Sequence, residues 1–156
     1  VILVRESHRA GEIAASPRAM LEEMEALGVP TSPYNLPDWD DSPEGLQRAL
    51  KRLFEITPPT ALIIDEALIF HAAKHHLAQQ GIVAPAHISL ICTDPDPTFA
   101  WGRPSIAHIR WDNTPIVRRI VRWAANVARG KEDLRQTLTK AEFVEGGTLG
   151  PPPRKR

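Results

Sequence analysis

Short apolar runs alternate with amphipathic stretches along the whole chain. Val1 to Val4 is uninterrupted and apolar, as a strand buried on both faces would be. Ser16-Pro17 then offers an N-cap with Pro at the first helical position. Met20, Leu21, Met24 and Leu27 follow at helical spacing up to Gly28, which predicts a helix over 17–27. The stretch from Val29 to Pro37 has too many prolines for a central strand and reads as a short or edge strand. Ser42-Pro43-Glu44 is a second cap, and Leu46, Leu50, Leu53 and Phe54 give the helix over 43–55 its apolar face. Thr57-Pro58-Pro59 ends it.

The alternation continues with a strand over Ala61–Ile64, a helix over 67–80 stopped by Gly81, and a strand over Ile88–Cys92. A Pro-rich loop leads to the apolar run Ile106 to Ile109. Thr114-Pro115 opens a fourth helix with Ile116, Ile120, Trp123, Ala124 and Val127 on one face and Gly130 at its end. Phe143-Val144 reads as a last short strand, and residues 151–156 as a flexible polar tail after one domain over 1–150.

Strands separated by helices predict an α/β fold, a parallel sheet with helices on both faces and right-handed crossovers. Ligands in such sheets sit at the carboxyl ends of the strands. That rule singles out Arg5-Glu6, Asp65-Glu66 and Thr93-Asp94, each directly after an apolar run.

With 42% hydrophobic and 24% charged residues among 156, the chain can build a core and is not disordered by composition. Lysines and arginines number 19, as do aspartates and glutamates, which argues against a uniformly basic nucleic-acid binder. The charge is nonetheless segregated: seven basic against fourteen acidic residues up to Gly102, twelve against five beyond it. That is either one domain with two differently charged ends or a basic end that belongs against another unit. A single cysteine, Cys92, excludes an internal disulfide. No apolar run is long enough to span a bilayer. A chain opening directly on a strand reads as part of something longer.

Asp65, Glu66 and Asp94 are candidate acceptors for ligand hydroxyls, a candidate acid–base set, or caps of the following helix or turn. The rigid Asp94-Pro95-Asp96-Pro97 turn suits a fixed acceptor better than a mobile base. His71 and His75 share a helical face at a metal-compatible spacing, without the intervening Glu of a zinc-protease helix, so a solvated face is the alternative. Cys92 near a strand end is either a nucleophile or a small buried hydrophobe. Arg118, Arg119, Arg122 and Arg129 read as a solvated face or a nucleic-acid contact. Trp39 and Trp101, in loop positions, could stack on a ligand or cover the core. No Gly-rich phosphate or dinucleotide loop and no Ser-nucleophile elbow is present, so neither an enzyme nor a cofactor is expected.

Pro59-Thr60-Ala61-Leu62-Ile63-Ile64-Asp65-Glu66 and the Ala-containing helix after it resemble the effector domain of the LacI/GalR regulators. So do Gly81-Ile82-Val83-Ala84-Pro85, Ile88-Ser89-Leu90, Asp94 and Arg103-Pro104-Ser105-Ile106. Pro37-Asp38-Trp39 and Gly45-Leu46 resemble that family's preceding crossover. The likeness covers roughly 1–150 and is most specific over 59–110. It implies one lobe of a type I periplasmic-binding-protein-like fold, with residues 108–140 crossing back to complete a first lobe that would lie upstream, behind a DNA-binding head.

The resemblance also implies site roles. Arg18 matches an Arg that grips ligand hydroxyls or carboxylates, Asp94 the first Asp of the strand-end turn, and Trp39 an aromatic of the pocket wall. The chain departs from the pattern in lacking the Asn before Asp65 and in carrying Cys92-Thr93 where the family has Gly-aromatic. The expectation is a cytoplasmic, homodimeric LacI-type regulator sensing a small effector, a sugar or sugar derivative, through Arg18, Asp65, Glu66, Asp94, Trp39 and Trp101. The alternative on the same fold is a solute-binding protein of a sugar uptake system, and the alternative of another class is an enzyme on a flavodoxin-like sheet. The apolar face of the helix from 115 to 129 would then pack on a second copy or fold back onto its own lobe.

Overall fold

The computed structural model describes residues 1–5 and 15–151. The strand-end residue Glu6 and the tail 152–156 lie outside them, as does the side chain of the expected cap Ser16.

The chain forms β1 (Ile2–Leu3), α1 (Ala15–Ala26), α2 (Pro43–Ile56), β2 (Ala61–Ile64), α3 (Ala67–Gln79), β3 (Ser89–Cys92), β4 (Ala107–Trp111), α4 (Thr114–Val127) and β5 (Ala141–Val144). The strands lie in sequence order in one sheet. β1, β2, β3 and β4 are parallel neighbours, with Ile2 beside Ile63, Ile63 beside Ile91 and Ile91 beside Ala107. β5 departs from the parallel expectation: it pairs antiparallel with β4, Ile109 beside Phe143, because the chain returns along the strand by which it left. The stretch 29–37 is a second correction. It holds a 3₁₀ turn at Pro33–Asn35, for its prolines supply fixed φ and no donor for a sheet ladder.

The cap of α2 and the glycine stops read from sequence coincide with helix boundaries. The Ser42 hydroxyl accepts from the Gly45 N–H at 3.0 Å with Pro43 at the first helical position. Gly28, Gly81 and Gly130 follow α1, α3 and α4 at φ of 75°, 75° and 68°, the left-handed conformation that ends a helix at least cost without a Cβ.

Strand alternation divides the core. Leu3, Leu62, Ile64, Leu90 and Cys92 face α2 and α3, where Leu46, Leu50, Leu53, Phe70, Ala73 and Leu77 close over them. Ile2 and Val4 face the other way, with Met20 and Leu21 of α1 and with Ile63. That second face is covered over β1, whereas Ile63, Ile91 and Ile109 remain half-buried.

The return of the chain after β5 locks β3 to β4. Thr148 is fully buried; its hydroxyl donates to the Leu90 carbonyl at 2.7 Å and accepts from the Ala107 N–H at 2.9 Å. Gly146 is required for this passage, since a Cβ there would stand 2.3 Å from the Ala107 nitrogen. β4 and β5 form the base of an arm that carries α4. Along α4, the Arg119 guanidinium grips the Asp133 carboxylate at 2.7 and 3.1 Å, and Asn126 donates to the same group at 2.7 Å. The arm is thereby braced against itself. No residue of α4 is buried, so the helix does not fold back onto its own lobe.

Candidate carboxyl-edge site

Parallel strands deliver their last residues to one edge, and helices that follow them begin there. At this edge Arg5 leaves β1, Asp65 and Glu66 leave β2, and Thr93 and Asp94 leave β3. α2 starts beside them, for Asp41, just ahead of its cap, meets Arg5. The Arg5 Nε donates to both Asp41 carboxylate oxygens at 2.9 and 3.0 Å, and Nη1 donates to both Glu66 oxygens at 3.0 and 3.1 Å. One fork thus ties the end of β1 to the starts of α2 and α3. The pairs are only partly shielded, with side-chain exposure of 32% for Arg5, so their stabilisation is modest and their main effect is to fix orientation.

The carboxylates of the edge divide their work. Glu66 occupies the N-cap position of α3, yet its side chain turns to Arg5 and caps nothing. Asp94, from the neighbouring strand, faces the start of α3 instead, where the Ala67 N–H favours its ionised form. Burial holds the Asp94 carboxyl above its ordinary value, and the nearby charges of Asp96, Glu66 and Asp65 add to the effect. Asp96 serves the next turn: it accepts from the Thr98 N–H at 2.7 Å and from the Thr98 hydroxyl, and these bonds hold it below the usual carboxylate range. Of Asp65, Oδ1 is buried.

Asp65, Glu66 and Asp94 therefore come together, with Arg5 and Asp41 as members that the strand-end rule named only in part. Arg5 follows an apolar run and was signalled. Asp41 carried no sequence signal, being 36 residues from its partner. Arg18 lies exposed on the first turn of α1, the helix on the opposite face of the sheet from α3. Trp39 is buried in the main core; its indole N–H donates to the Val4 carbonyl at 2.9 Å, and its rim borders a depression of about 320 Å³ with Asp40, Arg48 and Arg52. Trp101 closes the 3₁₀ helix Pro97–Trp101 and is 87% exposed.

The other chemical candidates resolve differently. His71 contacts the Thr98 hydroxyl at 3.0 Å, His75 the Gln79 amide at 3.1 Å and His76 the Gln80 amide at 2.9 Å. Among the described residues no cluster of three His, Cys, Asp or Glu side chains is arranged around a metal. Because Thr98 gives its proton to Asp96, His71 must donate to Thr98, the wrong direction for activating a hydroxyl nucleophile. Cys92 is buried and its thiol is pushed up to about 12 by burial, so it is protonated at neutral pH. Chemically, this edge can orient a polar ligand with fixed acceptors. Among the described residues no helix is long and apolar enough to cross a membrane.

The profile of the periplasmic binding protein-like domain family matches residues 1–149. No curated protein sequence matches the chain. Among solved structures, a LacI family transcriptional regulator from Bifidobacterium animalis subsp. lactis superposes with TM-score 0.76 at 20% identity, covering 97% of this chain and 54% of that one. A LacI family regulator from Enterococcus faecium with bound ribose gives 0.77 at 11% identity, covering 96% and 56%. The regulator CelR in complex with cellobiose gives 0.76 at 13% identity, covering 95% and 46%. The chain spans about half the length of the structures it resembles.

Proposed function

The chain belongs to the periplasmic binding protein-like domain family, and on that premise we propose that it is the effector-sensing lobe of a LacI-type transcription regulator. The observation that carries the reading is the grouping of Asp65, Glu66 and Asp94 at the carboxyl edge, with Glu66 held by Arg5 and Asp94 facing the start of α3. Fixed acceptors beside helix starts suit a small neutral ligand rich in hydroxyl groups, a sugar or sugar derivative. The ribose and cellobiose bound by two regulators of the same fold support that class. Arg18, on the first turn of α1, supplies a donor to the same ligand. Nothing in the proposal calls for catalysis: the protonated Cys92 and the donor direction of His71 favour a binding protein over an enzyme.

A single lobe offers half of a closing cleft. The arm from 108 to 140 completes a second lobe in a longer protein. Its helix α4 exposes Val117, Ile120, Val121, Trp123 and Val127 and is joined to the sheet through the β4–β5 pair. In that protein, which acts in the cytoplasm as a homodimer, a separate head contacts DNA and effector binding alters its grip on the operator. Calorimetry with neutral pentoses, hexoses and disaccharides tests the sensing role. Binding is expected for at least one of them, abolished by Asp94→Ala with the melting transition retained. Binding that survives Asp94→Ala unchanged overturns the assignment of the site.

A further inference from the structure

Pro30, Pro33 and Pro37 keep the stretch after α1 out of the sheet, and the chain lies along α2 instead. The Tyr34 hydroxyl donates to the Thr57 carbonyl at the end of that helix, and Asp40 pairs with Arg48 near its start. The segment therefore runs against the direction of α2. Its path is fixed at several points. Within the 3₁₀ turn the Asn35 side chain accepts from the Ser32 N–H at 2.9 Å, and further on the Trp39 indole is bonded to Val4. The Asp40 carbonyl passes so close to α2 that a Cβ at Gly45 would stand 2.1 Å from it.

Segment and helix enclose a groove. Beyond the depression beside Trp39 it widens into a cavity of about 400 Å³, which shares Asp38 and Arg52 with that depression. This second cavity is lined by Tyr34, Leu36, Pro37, Leu53 and Ile56. Leu36 and Leu53 are buried and give it an apolar floor, while Ile56 is 74% exposed. Tyr34 has spent its hydroxyl on Thr57 and so contributes its ring. The charges of α2 single out one residue. Arg48 has Asp40 and Lys51 has Glu55 at 3.8 Å, but the exposed Arg52 meets no acceptor among the described residues.

We propose that the groove between residues 33–40 and α2 binds a small monocarboxylate with an aromatic or branched apolar body, its carboxylate on Arg52 and its body against Tyr34, Leu53 and Ile56. Charge and shape select this occupant. A guanidinium matches a carboxylate with two parallel N–H donors. An apolar cavity of this size with one placed polar group is the usual form of a small-molecule site. Asp38 and Asp40 line the same groove, so a second negative charge on the ligand, as in a phosphate ester or a dicarboxylate, would be set against its own kind. The site is distinct from the carboxyl edge. Arg5 and Asp41 meet at the start of α2, whereas Tyr34 and Ile56 stand at its end, roughly 17 Å away at 1.5 Å per residue from Gly45 to Ile56. The proposal therefore does not rest on the sugar reading, and both ligands can be held at once.

Amide chemical-shift mapping of the full chain, titrated with 3-phenylpropanoate and 4-methylpentanoate, tests this. Saturable shifts are expected at Tyr34, Asp38, Leu53 and Ile56 with a dissociation constant on the order of 1 mM or below, and none at Asp65 or Asp94. The neutral 3-phenylpropanamide and the dianionic phenyl phosphate should each bind at least about fivefold more weakly than 3-phenylpropanoate. Arg52→Gln should weaken binding of the acids by a similar factor, and Ile56→Asn should do the same. Lys51→Gln, which removes a charge from α2 outside the groove, should leave binding unchanged. Arg52 and Ile56 are exposed, so the spectra of both unliganded variants are expected to match the parent away from the substitution. Absence of saturable shifts with either acid overturns the proposal. So does equal affinity for the acid and its amide, or binding that tolerates Arg52→Gln.

Discussion

Replacing Thr148 by Val probes how the arm is fastened to the lobe. Val has nearly the shape of Thr, so no cavity opens, and the change isolates the hydroxyl. That hydroxyl donates to Leu90 at 2.7 Å and accepts from Ala107 at 2.9 Å, in a side chain with no exposed surface. The substitution strands a buried N–H on β4 and removes a donor from a carbonyl on β3. Each orphaned group costs about 1–3 kcal/mol, so a loss of roughly 2–5 kcal/mol is expected. For a domain of this size each kcal/mol moves the melting midpoint by about 2–4 °C, which makes the expected drop on the order of 5–15 °C. Urea unfolding followed by far-UV circular dichroism, with its slope unchanged, measures the loss directly. Thr148→Ser keeps both bonds and gives up one methyl, at about 1 kcal/mol. A Val variant within about 0.5 kcal/mol of the parent would refute the claim that this hydroxyl ties β3 to β4.

Other consequences follow from the edge. The folded-state pKa of Asp94 is raised above 3.8, so its ionised form costs stability as pH rises through the folded value. Asp94→Asn, which keeps the side-chain shape without the charge, should raise the melting midpoint at neutral pH, and the gain should vanish below that ordinary value; a gain constant with pH contradicts this. Arg5→Met leaves Asp41 and Glu66 facing each other; it should lower the melting midpoint slightly given the partial exposure of the pairs, less at high salt, and should weaken effector binding. A loss that is indifferent to salt would argue against the ion pairs as its cause. Cys92 should resist a thiol-specific reagent in the native chain and react fully once unfolded, since its thiol is buried and pushed up to about 12; rapid native labelling contradicts the burial.

What the sequence disclosed tracks the range of the interaction. β1, β2 and β3 were legible because strands buried between helices read as unbroken apolar runs, and the start of α2 because Ser42 bonds within three residues. The direction of β5 was not legible, since four apolar-to-polar positions look alike in either orientation. Arg5 reaching Glu66 spans 61 residues and Thr148 reaching Leu90 spans 58, and no local pattern encodes either. Thr148, in a Gly-rich stretch that reads as loop, is the buried polar residue among the described residues. From sequence Trp39 reads either as a pocket-wall aromatic or as a cover for the core. That its ring enters the core follows from the Val4 carbonyl meeting its N–H, a contact 35 residues away in sequence.

The central claim is that the carboxyl edge of this sheet receives a small hydroxyl-rich effector. Amide chemical-shift mapping of the isotope-labelled chain, titrated with ribose, cellobiose and related neutral sugars, tests it most directly because it detects the weak binding expected of half a cleft. The account predicts saturable shifts at Arg5, Asp41, Asp65 to Ala67 and Thr93 to Asp94, with little change along α4. Shifts confined to another surface, such as the depression that Trp39 borders with Asp40, Arg48 and Arg52, or no shifts with any of these sugars, would contradict it.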